Sequence, residues 1–192
     1  MGDTVQIKEA FLGTIKADAD KSRLEFGGTE VSFHCDKFNT RVVKGLEDVV
    51  GFDGAHDLLS HQAEITHHAF LKKFLGDGPG AEAFSGLSPE DKLAAIFEIY
   101  KVLAYGSFDG SAVNDGGGKV VAKFSYVAEG WLENLERWNW TLRDNPVCHD
   151  ACGQVAAALS LTFDKPVGTY SVTETTCRAK GDDVCEFVVE VK

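Results

Sequence analysis

Between Arg23 and Phe33 the apolar residues Leu24, Phe26, Val31 and Phe33 stand at alternate positions on either side of Gly27-Gly28. This is the pattern of a β-hairpin whose inward side chains share one face. Further on, the period changes. Leu59, Ala63, Thr66, Phe70 and Phe74 recur at helical spacing, which predicts a helix from about Asp57 to Leu75 that Gly76 stops. The plainest helical pattern follows it. Ser88 can cap, Pro89 suits the first turn and Asp91 can return the cap. Leu93, Ile96, Phe97, Tyr100, Leu103 and Ala104 then line one face up to Gly106.

The run Asn114-Asp115-Gly116-Gly117-Gly118 is a turn signal, and it feeds a predicted strand from Lys119 to Phe124 and a helix from about Tyr126 to Arg137. Cys148 to Phe163 reads as a helix rich in small residues. Gly153, Ala156, Ala157 and Ala158 would let a neighbouring element approach closely, and Asp164-Lys165-Pro166 ends the helix. From Thr169 to Val191, β-branched residues surround the turn Lys180-Gly181-Asp182-Asp183, predicting a closing hairpin.

Composition narrows the class. A chain of 192 residues can bury a sizeable core, and one domain over 1–192 is the default expectation. With 30 acidic against 19 basic residues and a net charge of -11, a nucleic-acid partner is not expected. No stretch approaches the ~18 apolar residues of a membrane span, and Met1-Gly2-Asp3-Thr4 lacks a secretory pattern. The expected setting is therefore cytoplasmic, with no membrane partner. Five cysteines are present, four of them within the last 45 residues. Such crowding suits a metal site in a reducing compartment better than a disulfide framework.

If the closing hairpin turns about Gly181, Cys177 and Cys185 face each other, with Cβ atoms about 4.5–5.5 Å apart. That separation lets two thiolates share one tetrahedral zinc ion, and it also admits a disulfide after a small adjustment. Further donors are Glu174, three residues before Cys177, and Cys148 with Cys152, one turn apart at the start of the preceding helix. A helix N-terminus favours thiolate. Parity stands against Glu174. In a flat strand Glu174 and Cys177 point to opposite faces, so Glu174 reaches the metal only if a bulge or strong twist intervenes.

The stretch Pro146-Val147-Cys148-His149, then Gly153, then Glu174-x-x-Cys177, then Gly181-Asp182-Asp183-Val184-Cys185-Glu186-Phe187 resembles the C-terminal core of the 4-vinyl-reductase domain family. The likeness spans roughly residues 125–192. The family includes a protein tied to bacteriochlorophyll synthesis, archaeal stand-alone proteins, and sensory domains of phenol- and toluene-responsive activators. The resemblance implies an α/β (α+β) fold, a single mixed sandwich of antiparallel sheet and flanking helices similar to that of vesicle-tethering-complex subunits. It also implies one zinc held by Cys148, Glu174, Cys177 and Cys185, with Cys152 as the substitute for Cys148.

His67 lies on the apolar face made by Leu59, Ala63, Phe70 and Phe74. It is either a satisfied core residue or a polar contact in a pocket beside Phe70. His34 and Cys35 are adjacent on an expected strand, so only one of them can look inward. Trp131 occupies the position where the related sensors place aromatic ligand contacts. Three functions remain open. The leading one is a zinc-containing protein that binds or senses a small apolar or aromatic molecule, working as a homodimer, with His67, Phe70, Trp131, His34 and Cys35 as ligand contacts. The second is an enzyme or accessory acting on a tetrapyrrole or other unsaturated hydrophobic substrate, with iron or haem at His34, Cys35 or His67. No Gly-x-Gly-x-x-Gly loop is present to bring a dinucleotide to it. The third is a purely assembling subunit.

Overall fold

The computed structural model describes residues 2–32 and 34–192, with side chains described from Val5 onward. Phe33, the last residue of the expected first hairpin, lies outside the described residues. The chain opens with α1 (Gly2–Leu12), a small sheet of β1 (Lys16–Asp18), β2 (Arg23–Phe26) and β3 (Thr29–Val31), and the long α2 (Asp36–Leu71), which runs into a π-helical turn at Lys72–Gly76. Next come α3 (Ala81–Ser85), α4 (Pro89–Val102), β4 (Gly106–Asn114), β5 (Gly117–Ser125), α5 (Tyr126–Leu132) and α6 (Leu135–Trp138). α7 (His149–Thr162), β6 (Tyr170–Thr176) and β7 (Cys185–Val191) complete the chain. It is a mixed helix and antiparallel-sheet fold, as the resemblance implies.

The first hairpin forms with the expected register, Leu24 opposite Val31 and Phe26 opposite Thr29. Gly27 and Gly28 supply its positive φ angles. β1, too short to show a pattern, adds a third strand. The strand expected through His34 and Cys35 is not there. β3 stops at Val31, and Cys35 is the N-cap residue of α2.

The helix expected from Asp57 begins some twenty residues earlier. α2 is two helical segments meeting at Gly51, whose φ of 78° and ψ of 171° break the helix there. Gly45, Gly51 and Gly54 with exposed Val49 and Val50 obscure the first segment's apolar face in the sequence. α4 follows its pattern closely: the Ser88 side chain accepts from the Asp91 amide, and Pro89 opens the first turn. The helix expected over 126–137 is split at Glu133-Asn134 into α5 and α6. There the buried Asn134 side chain donates to Gly130 O, competing with the helical ladder.

The main sheet is antiparallel with order β4-β5-β7-β6. Val120, Ala122, Tyr170, Val172, Phe187 and Val189 are buried on one face, while Lys119, Lys123 and Thr173 face outward. α7 packs on β6 and α4 on β4, with α2 laid along α7. Gly153 makes the α2–α7 crossing possible. A Cβ there would stand 2.1 Å from Ser60 O and 2.7 Å from Ala63 Cβ, so two helical backbones meet with no side chain between them.

This packing yields a paired expectation. Gly153→Ala should lower the free energy of unfolding by about 1–3 kcal/mol, the usual cost of overpacking. Gly45→Ala, on an open face of α2 with no atom within 4 Å of the added methyl, should raise it by roughly 0.5–1 kcal/mol. Urea unfolding midpoints check both, and equal effects at the two positions would contradict the crossing.

Candidate functional site

The closing hairpin carries the decisive irregularity. From Tyr170 opposite Val191 to Glu174 opposite Phe187 the register is regular, but Thr176 pairs with Glu186, so Thr175 is an extra residue on β6. The bulge reverses the alternation, and both Glu174 and Cys177 end up buried on the helix side while Thr175 is exposed. The chain then turns through a short 3-10 segment, Arg178–Lys180, and Gly181 at φ 98°, which brings Cys185 back. Cys148, the N-cap residue of α7, arrives from the other side.

The ligand atoms of Cys148, Glu174, Cys177 and Cys185 all lie within 4.8 Å of one another, and all four residues are buried. Among the described residues this is the one group of three or more such side chains that could hold a metal ion. Cys152 is buried but outside the group. All five cysteines are free thiols, so the Cys177–Cys185 disulfide that their spacing also admits is not formed. Cys148 Sγ stands 3.8 Å from Cys185 Sγ. The surrounding backbone neutralises part of the negative charge. The Cys148 amide donates to Glu174 Oε2 at 2.8 Å, the Arg178 amide to Cys185 Sγ at 3.5 Å, and the Ser125 hydroxyl to Cys148 Sγ at 3.1 Å.

Ionisation in the cluster is uneven. Hydrogen bonds from the Cys148 and Cys185 thiols hold Cys177 far below the usual thiol range. Burial, followed by hydrogen bonds to its two neighbours, pushes Cys148 well up. Burial and the Cys177 charge raise Glu174 to about 8. Its Oε1 is buried with no hydrogen-bond partner. The cluster thus concentrates anionic donors that oppose one another's ionisation, the electrostatic setting that a cation relieves.

His67 stands elsewhere, between α2 and α4. Its ring meets Tyr100 and Tyr105 edge-on, at centroid distances of 5.4 and 5.0 Å. Although the residue as a whole is only partly buried, its Nδ1 is fully enclosed and has no hydrogen-bond partner. Two clefts share His67, Thr66 and Tyr105. One, of about 300 Å³, runs between α2, α5 and α7 and is lined by Ser125, Asp150 and Gln154 among others. The other, of about 200 Å³, opens toward the first hairpin and includes Phe26 and Phe70. Gln154 Oε1 is also buried and unpartnered. Burial raises Asp150.

The remaining sequence candidates fall differently. Trp131 lines neither cleft. It stacks on Trp140 at 4.1 Å, donates to Thr141 O and carries the Arg143 guanidinium over its ring. His34 and Cys35 are both exposed, and His34 touches the first cleft's rim only through its carbonyl, which accepts from Tyr126 Oη. Tyr105, Ser125, Asp150 and Gln154 were not among the sequence candidates. Tyr105 and Ser125 flank the unanticipated β4–β5 hairpin, so nothing in their local sequence sets them in a cleft. The largest opening, about 1290 Å³, is a groove between α1, α4 and β4 far from this chemistry. None of its lining residues carries a buried unpartnered polar atom among the described residues, in contrast to the cleft of His67 and Gln154.

Residues 133–191 match the family model of the 4-vinyl-reductase domain. The resemblance read from the cysteine and glutamate spacing is borne out over that stretch, which holds all four clustered residues. Among solved structures, the chain is similar to the phenol-responsive sensory domain of the transcription activator PoxR bound to phenol. The TM-score is 0.75 at 13% identity, covering 98% of this chain and 90% of that one. It is also similar to a trafficking protein particle complex subunit 3 from Naegleria fowleri covalently bound to palmitic acid, with a TM-score of 0.51 at 13% identity, covering 82% and 95%. Both likenesses are of fold. No curated protein matches the chain by sequence.

The enclosure of His67 gives a testable pH dependence. Burial lowers its pKa from the ordinary 6.5 to about 4. Between those values the unfolded chain binds the proton and the folded chain does not. This contribution to stability is therefore complete above pH 6.5 and is lost as pH falls toward 4, by at most about 3 kcal/mol. An NMR titration of the His67 ring should show a midpoint near 4. A midpoint near 6.5 would contradict the enclosure.

Proposed function

We propose that this chain binds and senses a small apolar or aromatic molecule in the His67 clefts, on a scaffold fixed by one zinc ion at Cys148, Glu174, Cys177 and Cys185. The observation that carries the reading is the pair of unpartnered buried polar atoms, His67 Nδ1 and Gln154 Oε1, on the walls of an otherwise largely aromatic and aliphatic cleft. An unpaired buried acceptor or donor costs about 1–3 kcal/mol unless a guest completes it. A single-ring molecule with one hydroxyl or amine fits both the volume and the chemistry. PoxR's sensory domain, of similar fold, holds phenol.

The tetrad fits zinc on three counts. Two sulfurs about 2.3 Å from one tetrahedral centre stand roughly 3.8 Å apart, as Cys148 and Cys185 do. Three soft thiols disfavour magnesium and calcium. The idle Glu174 Oε1 is the oxygen free to turn to an ion. With four protein donors the ion would serve as a cross-link, leaving no open position for catalysis. Ser125 joins the two sites, since it lines the cleft and donates to Cys148 Sγ. Occupancy of the cleft would in this way reach the closing hairpin and a surface read by a second copy of the chain.

An enzyme acting on a tetrapyrrole takes second place. Clefts of about 300 and 200 Å³ suit one ring better than four linked ones. Of His34, Cys35 and His67, only His67 lies in a cleft. No helix among the described residues is long and apolar enough to cross a membrane.

Two measurements test this reading. Elemental analysis should give one zinc per chain in the wild type and none in Cys185→Ser, with a large loss of thermal stability. Folded, metal-free wild-type protein would overturn the scaffold. In thermal-shift titrations, phenols should raise the melting temperature, by the equivalent of about 2.7 kcal/mol at a hundredfold excess over Kd. Gln154→Leu should weaken that binding by about tenfold, the worth of one hydrogen bond. No shift with any phenol, simple arene or fatty acid would contradict ligand binding.

A further inference from the structure

A second set of donors lies beside the tetrad and is used by neither site described above. His149, which follows Cys148, is buried at the start of α7, and its ring is held from both sides. On one side Nε2 stands 2.9 Å from Glu47 Oε1, and the same oxygen accepts from an Arg143 guanidinium nitrogen at 2.6 Å. Arginine stays protonated and holds Glu47 as a carboxylate, which has no hydrogen to give. The hydrogen in the His149–Glu47 bond therefore resides on Nε2. In the neutral ring this leaves a lone pair on Nδ1. That atom faces Nδ1 of His56, on α2, at 3.4 Å.

We propose that His56 Nδ1 and His149 Nδ1 form a second, open metal site for a divalent ion of the zinc, cobalt, nickel or copper kind. Two nitrogens about 2.0–2.1 Å from one tetrahedral centre stand roughly 3.4 Å apart, which matches their separation. A carboxylate on the far nitrogen of a ligating histidine fixes the tautomer and raises the ring's basicity, and Glu47 occupies that place. His56 is half-buried and lines a cleft of about 280 Å³ together with Asp57 and Ser60, so an ion has a route from solvent. Among the described residues no third His, Cys, Asp or Glu converges with this pair. The other coordination positions belong to water or to a small ligand entering from the cleft. Imidazole donors disfavour magnesium and calcium. This site contrasts with the tetrad in being nitrogen-lined, exchangeable and open to added ligands.

A plain hydrogen bond between the two rings would show the same distance, and metal counting separates the two cases. Purified full-length protein, its bound metal first measured, is dialysed against micromolar Co²⁺. The wild type should take up one more equivalent per chain than His56→Ala, with weak visible bands and no thiolate-to-cobalt charge transfer. His56→Ala should keep its circular dichroism spectrum and its original metal content while its affinity for the added ion falls at least tenfold. His61→Ala, which removes an exposed imidazole from the same cleft, should leave the count unchanged. The proposal is overturned by no additional equivalent, by one that survives in His56→Ala, or by one lost equally in His61→Ala. Because the comparison is between wild type and variant, it holds whether or not the tetrad binds zinc.

Discussion

Two donors three residues apart on one strand cannot serve one centre unless the strand breaks its alternation, and everything at the C-terminal end of this chain depends on that break. Thr175 is the additional residue. It turns Glu174 and Cys177 to the same side, and the Glu174 carboxylate then accepts the otherwise orphaned amide of Cys148 at the start of α7. One bulge thereby links strand, turn and helix. It also brings acidic groups together at a density that protein alone opposes, as the opposing shifts of Cys177 and Glu174 record.

α7 is the element through which these effects spread. Its first turn meets the tetrad at Cys148 and the Glu47–Arg143 pair at His149. Its middle crosses α2 at Gly153 with backbone against backbone, and Asp150, Ala151 and Gln154 line the His67 cleft. A helix fixed at one end by the cluster and pressed along its length against α2 has little freedom to shift independently. A guest beside Gln154 and a change at Cys148 are therefore felt through the same rigid body, the kind of contiguous contact that coupling between sites requires.

Much of this was legible in the residues. The hairpin at Gly27-Gly28, the capped α4, the small-residue α7 and the closing hairpin all carry strong local signals, and the structure places them close to the expected bounds. The requirement for a bulge near Glu174 followed from strand parity alone. What was not legible has physical causes. Glycines and exposed valines mask the first half of α2, and β4 has two register shifts that destroy any period of two. His34 and Cys35 looked like strand residues until the chain turned into α2. Trp131 packs on Trp140 and Arg143, an arrangement that no local periodicity encodes. The clefts assemble from α2, α5, α7 and the β4–β5 hairpin, and no single segment announces them.

The convergence of sulfur and carboxylate donors is the claim on which scaffold, coupling and function rest. X-ray absorption at the metal edge of the purified protein tests it most directly. A shell of three sulfurs near 2.3 Å with one oxygen at about 2.0–2.2 Å is the expected spectrum. A shell of light atoms alone, or oxidised sulfur with no ion present, would contradict it.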